Sequence, residues 1–179
     1  MQPAEVLNFW FGDLRPAQWF RPSPDVDRLI GDRFGDIHRA ALACELAAWR
    51  VTAEGRLAEI IVLDQFSRQI HRGSAKAYQG DPLALGLAQT AVQLGRDLEL
   101  PAVRRAFLYM PYMHSESGLI HQDALRLFGA PGLETSLVSE RRHKAIIDRF
   151  GRFPHRNPAL GRESTPEETV FLQGPGSKF

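Results

Sequence analysis

An all-α fold, an antiparallel array of about seven to eight helices, is what the sequence predicts, and three observations carry the prediction. Apolar residues recur at three- and four-residue intervals, as they do along one face of a helix. Helix starts are marked by a capping residue followed by proline, and no alternating strand pattern of useful length interrupts them. The connections are short, which makes consecutive helices antiparallel neighbours.

After Pro3 the run from Glu5 to Phe11 forms a first short helix that stops at Gly12. Trp19 and Phe20 follow in a proline-rich loop and are read as lids on the core. Ser23-Pro24-Asp25 opens a long helix with Val26, Leu29, Ile30, Phe34, Ile37 and Ala41 at helical spacing, extending to about Trp49. Thr52 caps the next helix, Ala53 to about His71, in which Leu57, Ile60, Ile61, Val62 and Leu63 leave no polar face, so it should be buried. Asp81-Pro82 starts another, ending at Leu94-Gly95. Pro101 opens a fifth through Val103, Phe107, Leu108 and Met110, which Pro111 should kink or stop. Further helices run from Ile120 to Phe128, from about Leu133 to Phe150, and from Thr165-Pro166 to near Gly174. Residues 1–174 read as a single helical domain and residues 175–179 as a tail.

Composition bounds the function. A chain of 179 residues, 44% hydrophobic, can fold without staples, and a formal net charge of +1 gives no global attraction to nucleic acid or an anionic membrane. No apolar stretch approaches spanning length, and the N-terminus lacks a basic segment followed by an apolar run, so a cytoplasmic protein is expected. The one cysteine, Cys44, has mostly apolar neighbours and is read as a buried, inert thiol. Nothing in the sequence fixes the oligomeric state.

Three constellations bear chemistry. Asp64, Arg68 and Arg72 recur four residues apart on the helix expected to be buried. Either Asp64 and Arg68 form an internal ion pair that fixes helix packing, or one guanidinium is left over for a carboxylate or phosphate. The second is Met110 to Ser117, carrying His114 and Glu116; with no matched third ligand beside His114 and His121, no metal is expected, and no cofactor either. The third is the Gly- and Pro-punctuated stretch Phe150 to Arg162, with Arg152, His155, Arg156, Asn157 and Arg162. These donors either cap helices and pair with carboxylates such as Glu116, or bind a ligand. Glu163, Glu167 and Glu168 already occupy the terminal helix start, so an anion is expected on the guanidiniums and Asn157 instead. A phosphate-cradling Gly-rich loop, a Gly-x-Ser-x-Gly elbow and a Cys-x-x-Cys pair are all missing from the sequence.

Taken in order, Val6 to Gly12, Trp19-Phe20, Leu63-Asp64-Gln65-Phe66-Ser67-Arg68-Gln69 with Arg72-Gly73, Phe107 to Glu116 and Phe150 to Arg162 resemble a bacterial family, domain of unknown function 924. The resemblance spans essentially the whole chain. It implies an all-helical, tetratricopeptide-like fold, and no activity. Ser67 stands where the family's usual pattern has proline, which implies a helix that continues straight where relatives bend.

Two functions follow as expectations. The first is a pocket formed by the Asp64 helix, the His114 segment and the Phe150–Arg162 loop, binding a small anionic metabolite. If it also hydrolyses that ligand, or transfers a phosphoryl or acyl group, His155 or His114 is the general acid–base and Glu116 or Asp64 orients it. Arg68, Arg152 and Arg156 would then stabilise developing negative charge. The rival is a tetratricopeptide-like module whose groove receives an acidic peptide, with the polar cluster purely structural.

Overall fold

The computed structural model describes residues 1–177. Its α-helical segments are α1 (Pro3–Asn8), α2 (Pro16–Phe20), α3 (Pro24–Leu42), α4 (Ala53–Ile61), α5 (Ser67–Ile70), α6 (Asp81–Gln93), α7 (Ala102–Met113), α8 (Gly118–Phe128), α9 (Glu134–Phe150) and α10 (Pro166–Leu172). Among the described residues there is no strand. A π turn, Val62–Phe66, joins α4 to α5 through right-handed backbone, so the three form one rod.

That rod organises the molecule. Thr52 starts it by accepting the Gly55 N–H at 3.0 Å, and Leu57, Ile60, Ile61, Val62, Leu63 and Phe66 along it are fully buried. Its α4 part packs on α1, α6 and α7, while α3 lies along the π turn and α5. An apolar face all round demands partners all round, which is why this helix is central. The one charge in the buried part of α4, Glu59, is held bidentately by Arg50 at 2.7 and 2.6 Å, as a buried carboxylate requires. Phe34 lies 4.9 Å from both Phe9 and the rod's own Phe66, ring centre to ring centre. From α6 to α9 each helix packs on the next. A smaller core of Ile146, Ile147 and Phe153, with Phe150 and Phe171 against it, fastens the end of α9 to α10.

Several details refine or differ from the sequence reading. Pro16–Phe20 is a short helix, with the Trp19 indole N–H donating to the Trp10 carbonyl at 2.7 Å. Helix α3 ends at Leu42, short of Trp49, because the Glu45 N–H bonds back to the Ala40 carbonyl and the Cys44 N–H to that of Ala41. This is a helix-ending loop whose left-handed position, normally glycine, is filled by Cys44 at φ 60. The thiol is therefore exposed and not buried. Of the two outcomes expected at Pro111, a kink or a stop, the stop does not occur: α7 continues to Met113. The rod continues through Ser67, yet the turn before it is π and not α: the Leu63 carbonyl there accepts the Ser67 hydroxyl at 2.6 Å. Of the expected tail, Ser177 folds back, its hydroxyl donating to the Leu172 carbonyl at 3.2 Å; Lys178 and Phe179 lie outside the described residues.

Candidate functional site

A cavity of about 450 Å³ opens where the end of the rod, the end of α7, the start of α9, the 3-10 turn Pro154–Arg156 and α2 converge. Each element contributes by its spacing. Gln65, Arg68 and Gln69 lie three and four residues apart and share a face of the rod, and Arg72 follows just past its end. Met110, Met113 and His114 do the same at the end of α7, and Ser136, Ser139 and His143 on α9. Trp19, Phe20 and the methionines add apolar surface beside the arginines and histidines, with Phe20 and Arg21 at the exposed rim.

Behind the polar wall lies a buried network. Asp64 Oδ1 accepts from His114 Nδ1 at 2.7 Å and lies 3.1 Å from Arg68 Nη1, while its Oδ2 accepts from the Gln65 amide at 2.6 Å. Arg68 also grips Asp81 bidentately at 2.8 and 2.9 Å and donates to the Asp64 carbonyl. Arg156 reaches the same Asp81 at 3.3 Å and the His114 carbonyl at 2.9 Å. Its guanidinium lies between the rings of Tyr78 and Phe153, 4.7 and 4.6 Å from their centres, a stack that favours a desolvated cation. Two guanidiniums thus face two carboxylates, and the buried wall carries no surplus charge.

Burial alone would raise the Asp64 carboxyl, but Arg68, His114 and Gln65 outweigh it and hold it well below the carboxylate range. An ionised Asp64 requires the hydrogen on His114 Nδ1, because a carboxylate only accepts. His114 is itself pushed below the usual imidazole value, by burial first and also by Arg68, with Asp64 opposing. It is therefore a neutral ring whose Nε2 carries a lone pair. No protein group among the described residues bonds that nitrogen, and the ring lines the cavity. Two further histidines share the cavity. Burial takes His143 to about 3 and His155 to about 4, with Arg156, then His114 and Arg68, adding to the effect on His155. The His114 and His143 rings are 6.3 Å apart.

The cavity brings together Arg68, Arg72, His114, His155 and Arg156, with Asp64 behind them. The arginine left over in the sequence reading has a partner: Arg72 pairs with Asp27 at 2.6 and 2.7 Å. Glu116, Arg152, Asn157 and Arg162 do not line the cavity. They form a second network that fastens the Phe150–Arg162 segment. Arg162 holds Glu116 bidentately at 2.7 and 2.9 Å, and Glu116 accepts the Phe153 N–H at 2.7 Å. Burial would raise the Glu116 carboxyl, but these donors outweigh it and lower it. Arg152 grips Glu168 at 2.7 and 2.8 Å and takes its carboxyl down to about 2, while Asn157 donates to Glu168 and Ser164 and accepts from Arg162. Among the described residues no cluster of His, Cys, Asp or Glu is placed to hold a metal ion, and no helix is long and apolar enough to cross a membrane.

Sequence reading missed Asp81, Tyr78, Gln65 and His143. Asp81 followed by Pro82 reads as a helix cap; Gly80 is the cap residue, and the Asp81 side chain turns to the arginines instead. The close seating of this turn has a visible cause: a Cβ on Gly80 would meet the Leu63 carbonyl oxygen at 2.6 Å. His143 had a usable signal, a histidine seven residues before the Phe150 segment on a helix facing it.

A helical protein with a cavity that combines arginine and histidine side chains with aromatic and methionine surface is what the geometry defines, and comparison with known sequences places it. The sequence model for a bacterial protein of unknown function, DUF924, matches residues 6–176, and the chain belongs to this family. Its fold is similar to that of a solved protein of unknown function from Agrobacterium tumefaciens, 40% identical, with a TM-score of 0.91 over 96% of this chain and 97% of that one. No curated protein matches significantly.

Proposed function

We propose that the cavity binds a small metabolite carrying an anionic group and an apolar part. The observation that carries this reading is the pair Arg68 and Arg156, drawn to one side of the cavity by their shared Asp81. Each guanidinium has five N–H groups; Arg68 uses three in the bonds above and Arg156 two, leaving donors for a ligand. The cavity volume falls in the roughly 300–1,000 Å³ range of small-molecule sites, which favours a metabolite over a peptide groove spread along several helices. Trp19, Phe20, Met110 and Met113 supply the apolar counterpart. His114, oriented by Asp64, presents its Nε2 to the bound compound.

A thermal-shift panel of carboxylate and phosphorylated metabolites tests the reading. A ligand at about 100 times its dissociation constant adds roughly 2.7 kcal/mol, and Arg68→Lys, which keeps the charge but loses the fork that spans Asp81 and the ligand, should abolish most of the shift. If no compound moves the midpoint beyond salt of matched ionic strength, the binding reading fails.

A further inference from the structure

We propose that the ligand class of this cavity is the amphipathic monocarboxylate, bound together with one proton that settles on His114 Nε2. The inference rests on the binding reading above and narrows it. Arg68 and Arg156 are already matched in charge by Asp64 and Asp81. A phosphate dianion placed against them would bring two uncompensated charges into a confined, largely apolar cavity. A carboxylate brings one, and His114 stands ready to cancel it.

The geometry supplies the partner for that proton. His114 Nδ1–H is committed to Asp64, so protonation at Nε2 creates a donor on the cavity side of the ring while Asp64 holds the resulting imidazolium from behind. The charged and titratable groups facing His114 are Asp64 and Arg68 from the rod, Asp81 from α6, His143 from α9, and His155 and Arg156 from the 3-10 turn. The arginines oppose protonation, Asp64 and Asp81 favour it, and a carboxylate added beside Nε2 tips the balance. His143 and His155 lie too far below neutrality to take the proton in its place. No bond in the ligand is made or broken; the proton comes from solvent and the complex gains a neutral pair.

The sign of the linkage is fixed. The ligand raises the His114 pKa, so affinity increases as pH falls from about 8 towards 6, by at most roughly tenfold per unit, and levels off once free His114 is itself protonated. The carboxylate stays ionised throughout that window, since carboxyl groups titrate near about 4.

Isothermal titration calorimetry with straight-chain carboxylates from butyrate to octanoate, phenylacetate and indole-3-acetate, beside phenylacetamide and phenyl phosphate, decides the matter. Run in buffers of different ionisation heat, it should show net proton uptake with the best carboxylate, weaker binding of phenyl phosphate and of the amide, and affinity rising between pH 8 and pH 6. His114→Gln, which keeps a donor for Asp64 but cannot carry the proton, should bind more weakly and without the pH dependence. Carboxylate binding with no proton uptake by the wild-type protein, or phosphate binding tighter than carboxylate, overturns this inference while leaving the binding reading standing. Failure of every compound to bind overturns both.

Discussion

At the scale of single residues, Asp64 shows how much of the site was open to sequence reasoning. Its pairing with Arg68 follows from a four-residue spacing on one helix and is present at 3.1 Å. Its bond to His114, fifty residues away in sequence, is invisible to any local pattern. Asp81 is the stronger case, since Asp followed by Pro reads as a helix start, and only the tertiary fold brings it to Arg156, 75 residues on. Of the two roles the sequence allows Glu116, orienting a histidine or pairing with an arginine of the Phe150–Arg162 segment, the structure shows the second, with Arg162 and the Phe153 N–H as its donors. Asp64→Asn should therefore cost about 1–3 kcal/mol, because it leaves a buried acceptor pattern mismatched and removes a charge opposite Arg68. Urea titration reads the effect; an unchanged midpoint would mean the ion pair contributes nothing to stability.

At the scale of elements, the helices were legible wherever apolar spacing and caps agreed. The rod was recognisable because its apolar positions leave no polar face, and Leu63 is fully buried in it. Leu63→Ala should destabilise by roughly 2–5 kcal/mol, and a loss under about 0.5 kcal/mol in a denaturant titration would remove the rod from the core. What sequence did not show was how elements end or widen. The π turn depends on the Ser67 hydroxyl bonding the Leu63 carbonyl and on Gly80 seated against that same carbonyl, a contact between distant segments. The end of α3 was missed because the left-handed position holds Cys44 and not the expected glycine. Left-handed backbone costs a residue with a side chain about 1–2 kcal/mol, and glycine gives back about 0.5–1 through unfolded-state freedom. Cys44→Gly should accordingly raise stability by roughly 0.5–1 kcal/mol by urea titration; a loss would mean the thiol side chain contributes more than its backbone strain costs.

At the scale of the whole molecule, the all-α class and the family were both legible, because they rest on many positions at once, whereas the cavity was legible only as a set of segments expected to meet. The buried histidines give the folded protein a collective pH response. Burial is the first cause in each case, joined at His38 by His71, and takes His38 and His155 to about 4 and His143 to about 3, against 6.5 in the unfolded chain. Between those values the unfolded chain binds protons that the folded one does not. Stability is therefore full above about pH 6.5 and falls as pH drops towards 3–4, at most on the order of 1 kcal/mol per pH unit for each histidine. Glu168, whose carboxyl is depressed from 4.5 to about 2, adds its own loss only as pH falls through that lower window. Urea midpoints at pH 7.5, 6 and 5 should decline before Glu168 protonates, and a flat profile down to pH 5 would show that these rings titrate normally in the folded state.

The account turns on Arg68 and Arg156 holding the anionic end of a compound in one cavity, and a crystal structure of the protein with the strongest compound from the thermal-shift panel tests this most directly. The predicted result is the anionic group within hydrogen-bonding distance of Arg68 or Arg156 and beside His114 Nε2, with the body of the compound against Trp19 and Met110. A compound bound elsewhere on the molecule, with both guanidiniums still facing only Asp64, Asp81 and their present partners, would contradict it.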